Sequence, residues 1–219
     1  MSAQKKIAVV LSGCGVKDGS EIHEAVMSLL AIDRQGATYQ CFAPNIPQKG
    51  VVDHVTGKAT DETRNVMVEA ARIARGDIRD LASFDAKDFD AVVFPGGFGA
   101  AKNLCSFAVD GADCSVEPTV EKAIRAMHQA GKPIGALCIA PVILAKVLGK
   151  VELTLGNDKD VAAAVTAMGA THCVRGHGEV AIDRVNKVVT TPCYMLDASI
   201  KQIADGADNL VKAILELAA

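Results

Sequence analysis

Cys138 stands at a junction whose residue types suit covalent chemistry. The stretch Gly135-Ala136-Leu137-Cys138-Ile139-Ala140-Pro141 follows a short apolar run from Ile134. It precedes a segment with helical spacing that Gly149 ends. A strand that turns sharply into a helix with a nucleophile at the bend pushes that side chain above the sheet and places the next backbone N–H groups at a helix start. Positive potential there is expected to favour a thiolate and lower the thiol's pKa. Gly135 and Ala136 leave room for the turn, and Pro141 suits a first helical turn, where its missing N–H is harmless. The competing reading is a buried, inert cysteine.

A thiol at an elbow needs a group that handles protons. Glu21 and Glu24 lie three residues apart where a first helix begins, just beyond the end of a first strand. A carboxyl buried against the thiol would have a raised pKa and could donate a hydrogen bond or shuttle a proton. The alternative is that both acids only favour the helix dipole. Two further glycine-rich strand ends, Ser12-Gly13-Cys14-Gly15 and Pro95-Gly96-Gly97-Phe98-Gly99, point to the same place. Gly96 and Gly97 let backbone N–H groups approach a bound oxygen, and with the Ile139 amide they could form an oxyanion hole. Gly13-x-Gly15 lacks the third glycine of a dinucleotide loop, and no phosphate-cradling Gly-Lys-Ser/Thr sequence occurs, so no cofactor is expected. No histidine pair has metal-ligand spacing with a Cys or carboxylate, so no metal is expected. His23 neighbours the two acids but should point to another face.

The elements that must position these groups alternate. Apolar runs at 7–11, 38–42 and 91–94 read as strands of a sheet covered on both faces. A helix is expected to about Arg34, capped by Asp18 or Ser20, with Ile22, Val26, Leu29 and Leu30 as its buried stripe. Further helices are expected over 63–74, 116–130, 139–148, 158–168 and 196–217. A small hairpin is expected around Val51-Val52 and Thr56-Gly57, a strand over 151–155, and a strand–turn–strand over 180–190. Strand–helix alternation predicts one doubly wound α/β domain over residues 1–219, with a mostly parallel sheet and helices on both faces.

Bulk composition narrows the partners. The 219 residues are 50% hydrophobic and 22% charged, enough for a substantial core. A net charge of -3 gives no electrostatic case for nucleic acid or an anionic membrane surface. No apolar run reaches bilayer-spanning length, and no secretory signal is evident at the N-terminus. Seven scattered cysteines without a Cys-x-x-Cys favour reduced thiols and a cytoplasmic location. A mature organelle protein without its leader would look the same.

The motifs Gly135-Ala-Leu-Cys138-Ile-Ala-Pro141, Phe94-Pro-Gly-Gly97 and Gly99-Ala-Ala-Lys-Asn103-Leu resemble the DJ-one/PfpI superfamily, of flavodoxin-like fold. The opening Leu11-Ser-Gly-Cys14-Gly-Val-Lys-Asp-Gly-Ser-Glu21-Ile-His-Glu24, with Asp61-Glu-Thr-Arg64-Asn and Thr191-Pro-Cys-Tyr-Met195, is similar to the ElbB branch, the isoprenoid-biosynthesis glyoxalases. The similarity runs over nearly the whole chain. It implies a cofactor-free glyoxalase III-type activity on small aldehydes such as glyoxal, or a related deglycase. The site residues it implies are Cys138 as nucleophile and Glu24, with Glu21 as fallback, as the acid. Gly97 and Ile139 map to the oxyanion donors, and Cys14 and Asn103 to the substrate-binding surround. Many relatives carry a His on the strand after the elbow helix or directly after the Cys. Those places hold Leu155-Gly156 and Ile139 here, so a Cys–His–acid triad and peptidase activity are not carried over. The resemblance also implies a homodimer. A reading from another class is a non-catalytic redox sensor, since an activated thiol is also easily oxidised.

Overall fold

The computed structural model describes residues 4–219. Along the chain run β1 (Lys6–Val10), α1 (Ile22–Arg34), β2 (Thr38–Ala43), β3 (Val51–Val52), β4 (Ala59–Thr60), α2 (Val66–Ile73) and β5 (Ile78–Asp80). There follow β6 (Ala91–Phe94), α3 (Phe98–Lys102), α4 (Phe107–Asp110), α5 (Pro118–Gln129), β7 (Ile134–Leu137) and α6 (Pro141–Leu148). The last part holds β8 (Glu152–Leu153), α7 (Lys159–Ala167), β9 (Thr171–His172), β10 (Ala181–Asp183), β11 (Val188–Thr191) and α8 (Ile200–Leu217).

Seven strands form one sheet in the order β10-β11-β7-β6-β1-β2-β5. All neighbours are parallel except β10, which returns antiparallel to β11 at one edge. Both edge strands, β5 and β10, are three residues long and end on an aspartate. The apolar strands are buried because both faces are covered. Ala8, Val10, Phe94 and Ala136 join α3, α5, α6 and α7 in one core. Ile7, Val9, Val93 and Leu137 join α1, α2 and α8 in the other. Chain order reverses between β1 and β6, whose connections depart to opposite sides, and ligands gather outside the strand ends at such a switch point. The three glycine-rich strand ends all lie there.

The doubly wound expectation holds, and so does the β3–β4 hairpin. The strand expected over 151–155 shrinks to β8, which pairs with β9 in a separate two-stranded sheet and never enters the main one. The helix α1 is rotated from its expected face. Ile22, Val26 and Leu30 are exposed, and only Leu29 of the four is buried. The inward face is Glu24, Ala25, Ser28, Ala31 and Ile32. Small residues there let α1 sit close to the sheet and to α8, and the spacing of 24, 28, 31 and 32 defines one helical stripe. The cap differs as well. Glu21 is the N-cap, its carboxylate accepting the Glu24 N–H at 2.7 Å. Ser20 instead accepts the Ser12 N–H through its hydroxyl at 2.9 Å, and Asp18 accepts the Val52 N–H at 2.7 Å, tying the hairpin to the loop after β1.

The strand that carries the elbow is held from below by α8. A side chain at Gly135 would run into Ile214 and Leu210 of that helix, so the absent Cβ is what lets α8 rest on β7. Replacing Gly135 with Val overfills this contact, and the expected loss is about 1–3 kcal/mol, read as a lower urea midpoint at unchanged slope.

Candidate active site

Cys138 follows β7 directly and adopts φ 58°, a left-handed conformation rare for a side-chain-bearing residue. Its amide donates to the Thr191 carbonyl at 3.0 Å, which anchors the bend to β11. The Ile139 amide has no hydrogen-bond acceptor within the protein among the described residues. This is the expected elbow, except that the sulfur is enclosed rather than raised into solvent: Cys138 is 7% exposed.

Glu24 is the acid that reaches it. Its side chain is completely buried and lies beside Cys138, close enough for each group's charge to bear on the other. One carboxyl oxygen accepts the Gly96 N–H at 3.0 Å and the other the Tyr194 N–H at 3.3 Å. Burial first, then the neighbouring Glu21 charge, push the Glu24 carboxyl up to about 8. Glu21 does not contact the thiol in the same way, because its carboxylate is spent on capping α1. Its own backbone N–H donates to the Gly96 carbonyl at 2.9 Å, locking α1 to the loop after β6.

The thiol's own shift runs opposite to the sequence expectation. Burial raises the Cys138 pKa well above its ordinary value, with the Glu24 charge as the next cause and a hydrogen bond from the Gly97 N–H opposing both. The helix start does not overcome the loss of water. Thiol and acid therefore act as one unit: with Glu24 protonated its charge no longer opposes a thiolate, and its O–H can donate to the sulfur.

Glycine at 96 and 97 is a steric requirement. A Cβ on Gly96 would meet the Cys138 Cβ and lie 2.6 Å from the Glu24 Oε2, filling the gap between the thiol-bearing residue and the carboxyl. Gly97 takes φ 95° and lies beside the sulfur, where its N–H lowers the thiol's pKa, and the Ile139 amide belongs to the next residue of the bend.

Two expected site residues sit elsewhere. Cys14 is half-buried, with Glu69 and Arg72 of α2 and Asp18 of its own loop as its charged neighbours; burial raises its pKa. Asn103 is buried with every polar atom engaged. Its amide donates to the Ser12 and Asp18 carbonyls at 2.9 Å each, and its oxygen accepts the Lys49 N–H at 2.9 Å. It ties the loop after β1 to the segment before β3 and has no free side-chain donor to offer a substrate. Tyr194 and His23 do lie at the site. Beyond its backbone bond to Glu24, the Tyr194 hydroxyl pairs with His23 Nδ1 at 2.8 Å, and that nitrogen is 3.9 Å from Glu21. The adjacency of His23 to Glu24 was a usable signal; nothing in the spacing shows that a residue 171 positions away completes the pair. Clefts of about 910 and 450 Å³ open on other parts of the surface, and neither is lined by Cys138 or Glu24. Among the described residues no group of three or more His, Cys, Asp or Glu side chains is placed to hold a metal ion.

No family model matches the chain. A human protein named glutamine amidotransferase-like class 1 domain-containing protein 3, mitochondrial, is 51% identical over 97% of this chain and 83% of its own length. A crystal structure of an isoprenoid biosynthesis protein with an amidotransferase-like domain, from Ehrlichia chaffeensis, is 36% identical and superposes with a TM-score of 0.90 over 96% of this chain and 99% of that one. The chain belongs to the same family as these two, the ElbB-like isoprenoid biosynthesis proteins with an amidotransferase-like domain, and its fold is that of the DJ-one/PfpI proteins. The superfamily fold extends further. Glyoxalase III of Candida albicans shares it at a TM-score of 0.60 with 13% identity, over 95% of this chain and 97% of that one. The comparison also corrects the expected compartment. The human relative is named mitochondrial, which overturns the cytoplasmic reading. Unpaired cysteines report a reducing environment and carry no address.

The raised Glu24 pKa makes this site a pH-dependent burden on the fold. Between the unfolded value near 4.5 and the folded value of about 8, only the unfolded chain ionises the group, so its contribution to stability falls as pH rises through that window and is constant above it. At about 1.4 kcal/mol per pH unit the effect reaches several kcal/mol. Glu24→Gln has no such group. Its melting temperature is expected to fall less than the wild type's between pH 5 and pH 8, measured by calorimetry across a pH series.

Proposed function

We propose that this protein is a glutathione-independent glyoxalase of the glyoxalase III type, acting on glyoxal or a similar small 2-oxoaldehyde. The observation that carries the reading is one buried thiol beside one buried acid held near neutral pKa, with the Gly97 amide at the sulfur and the glycine at 96 leaving the space between them open. Glyoxalase III of Candida albicans shares the fold, which supports the reading at the level of architecture.

The chemistry follows from one shared proton. The Cys138 sulfur adds to an aldehyde carbon, and the proton held by the thiol–Glu24 pair passes to the carbonyl oxygen, giving a hemithioacetal. The Gly97 and Ile139 amides stabilise the oxygen as its charge develops. Glu24, now a carboxylate, removes the C–H proton of the sulfur-bearing carbon and an enediolate forms. Returning that proton to the adjacent carbon, while the hydroxyl proton of the sulfur-bearing carbon passes to the neighbouring oxygen, yields a thioester. One carbon is oxidised and its neighbour reduced, so no external electron carrier is consumed. Water then cleaves the thioester and releases a 2-hydroxy acid, glycolate from glyoxal. A base with a pKa of about 8 is strong enough to take a carbon-bound proton and weak enough to be present near neutral pH.

Enclosure of the sulfur also separates the two enzymatic readings. A thiol 7% exposed admits a two- or three-carbon aldehyde more readily than an adduct carried on a protein side chain, so free aldehyde is favoured over deglycation.

Purified protein, without added thiol or metal, is expected to consume glyoxal and release glycolate. Cys138→Ala should abolish turnover, and Glu24→Gln should lower kcat by about 10²–10⁴-fold while leaving the thiol in place. Glyoxal loss that is no faster with the wild type than with Cys138→Ala would refute the assignment.

A further inference from the structure

Cys138 and Glu24 are both closed off from water, so some part of the fold must cover them, and the covering part controls how the acid is held. On the side of β11 that cover is the single 3-10 turn Cys193–Met195. Cys193 within it is buried, takes a left-handed φ of 42°, and lies near enough for its charge to bear on Cys138 and Glu24 alike. The next residue, Tyr194, supplies the N–H that holds one oxygen of the Glu24 carboxyl. A turn with this backbone strain does not stay in place by itself. The side-chain bond that ties it to the opposite wall is the Tyr194 hydroxyl to His23 Nδ1 at 2.8 Å, and His23 directly precedes Glu24 on α1. The two rings lie 5.9 Å apart, and half of the His23 side chain is exposed at the mouth.

We propose that His23 and Tyr194 are positioning residues: their side-chain bond straps the Cys193–Met195 turn to α1, and the strap holds the Tyr194 amide on Glu24 and restricts entry to Cys138. This rests on the reading of Cys138 and Glu24 as the reacting pair, and it adds two residues that touch neither the thiol nor the aldehyde. The groups that surround the Glu24 carboxyl are then Cys138, Cys193, Glu21 and the amides of Gly96 and Tyr194. Of these, the Tyr194 amide is the donor that comes from the strapped turn. Loosening the strap removes a hydrogen bond that favours the ionised acid and opens a path to the sulfur, while the elbow and the Gly96 contact stay as they are.

The test reads the thiol itself, so it does not depend on turnover. Cys138 alkylation by iodoacetamide is followed by intact mass and peptide mapping, from pH 6 to pH 10, in the wild type, Tyr194→Phe, His23→Leu and His23→Gln. Tyr194→Phe and His23→Leu each lose the bond. In both, Cys138 is expected to be alkylated about tenfold faster at a given pH, and the midpoint of the pH–rate profile is expected to move downward, because burial and the Glu24 charge are what hold the thiol protonated. His23→Gln keeps a side chain that can pair with the phenol and should lie closer to the wild type. Circular dichroism melting checks that each variant is folded. Wild-type rates and midpoints in folded Tyr194→Phe and His23→Leu would overturn the strap, as would equal changes in His23→Gln and His23→Leu. In a parallel glyoxal assay, an inactive wild type refutes the glyoxalase reading alone. An active wild type with slower strap variants and an altered alkylation profile supports both.

Discussion

A carboxyl group with no water around it is the constraint to which the rest of this structure answers. Glu24 is buried at the base of α1, next to a thiol that is also out of solvent. Two neutral amides, from Gly96 and Tyr194, replace the water it has lost. They are not enough to keep it ionised in the ordinary carboxylate range, and its proton affinity rises into the range where it can give and take a proton near neutrality. The same environment would hold an isolated thiol in its inert protonated form. The charge of each group bears on the other, so the two titrate as a coupled pair.

Holding such a pair demands close backbone approach from three strand ends. The loop after β1 leads into the Glu21 cap, the loop after β6 delivers Gly96 and Gly97, and the bend after β7 delivers Cys138. These loops touch backbone to backbone. The Gly96 carbonyl accepts from Glu21, and its missing side chain leaves the space where sulfur and carboxyl meet. Asn103, with all its polar atoms engaged, keeps the outer loops in register. The switch between β1 and β6 explains why these segments converge: neighbouring strands whose connections leave in opposite directions open a crevice at their carboxyl ends.

Much of this was legible in the residues. Unbroken apolar runs marked β1, β6 and β7, and the glycine-rich ends with Cys138 marked the site. Glu24 was preferred over Glu21 only through the family resemblance, because both acids sit at the same helix start. The rotation of α1 was not legible. Ile22, Val26 and Leu30 are the larger apolar residues, and a hydrophobic pattern favours them. Presenting Glu24 to the thiol required the small-residue face to turn inward instead. The direction of the thiol's shift was misread because helix-start potential is visible in a sequence and desolvation is not. Tyr194 was missed as a partner of the acid because it acts on Glu24 through its backbone N–H, which every residue but proline possesses.

The ends of the sheet have a consequence of their own. The strands β5 and β10 each offer only three residues, and each closes on an aspartate whose carboxylate takes up the amides of the chain that turns away, Ala82 after Asp80, and Val185 and Asn186 after Asp183. A foreign strand finds a short template, bounded by negative charge and with the adjoining amides already satisfied. The apolar strands that build the interior are thereby shielded from edge-to-edge pairing, the hazard that an open sheet of such composition would otherwise carry.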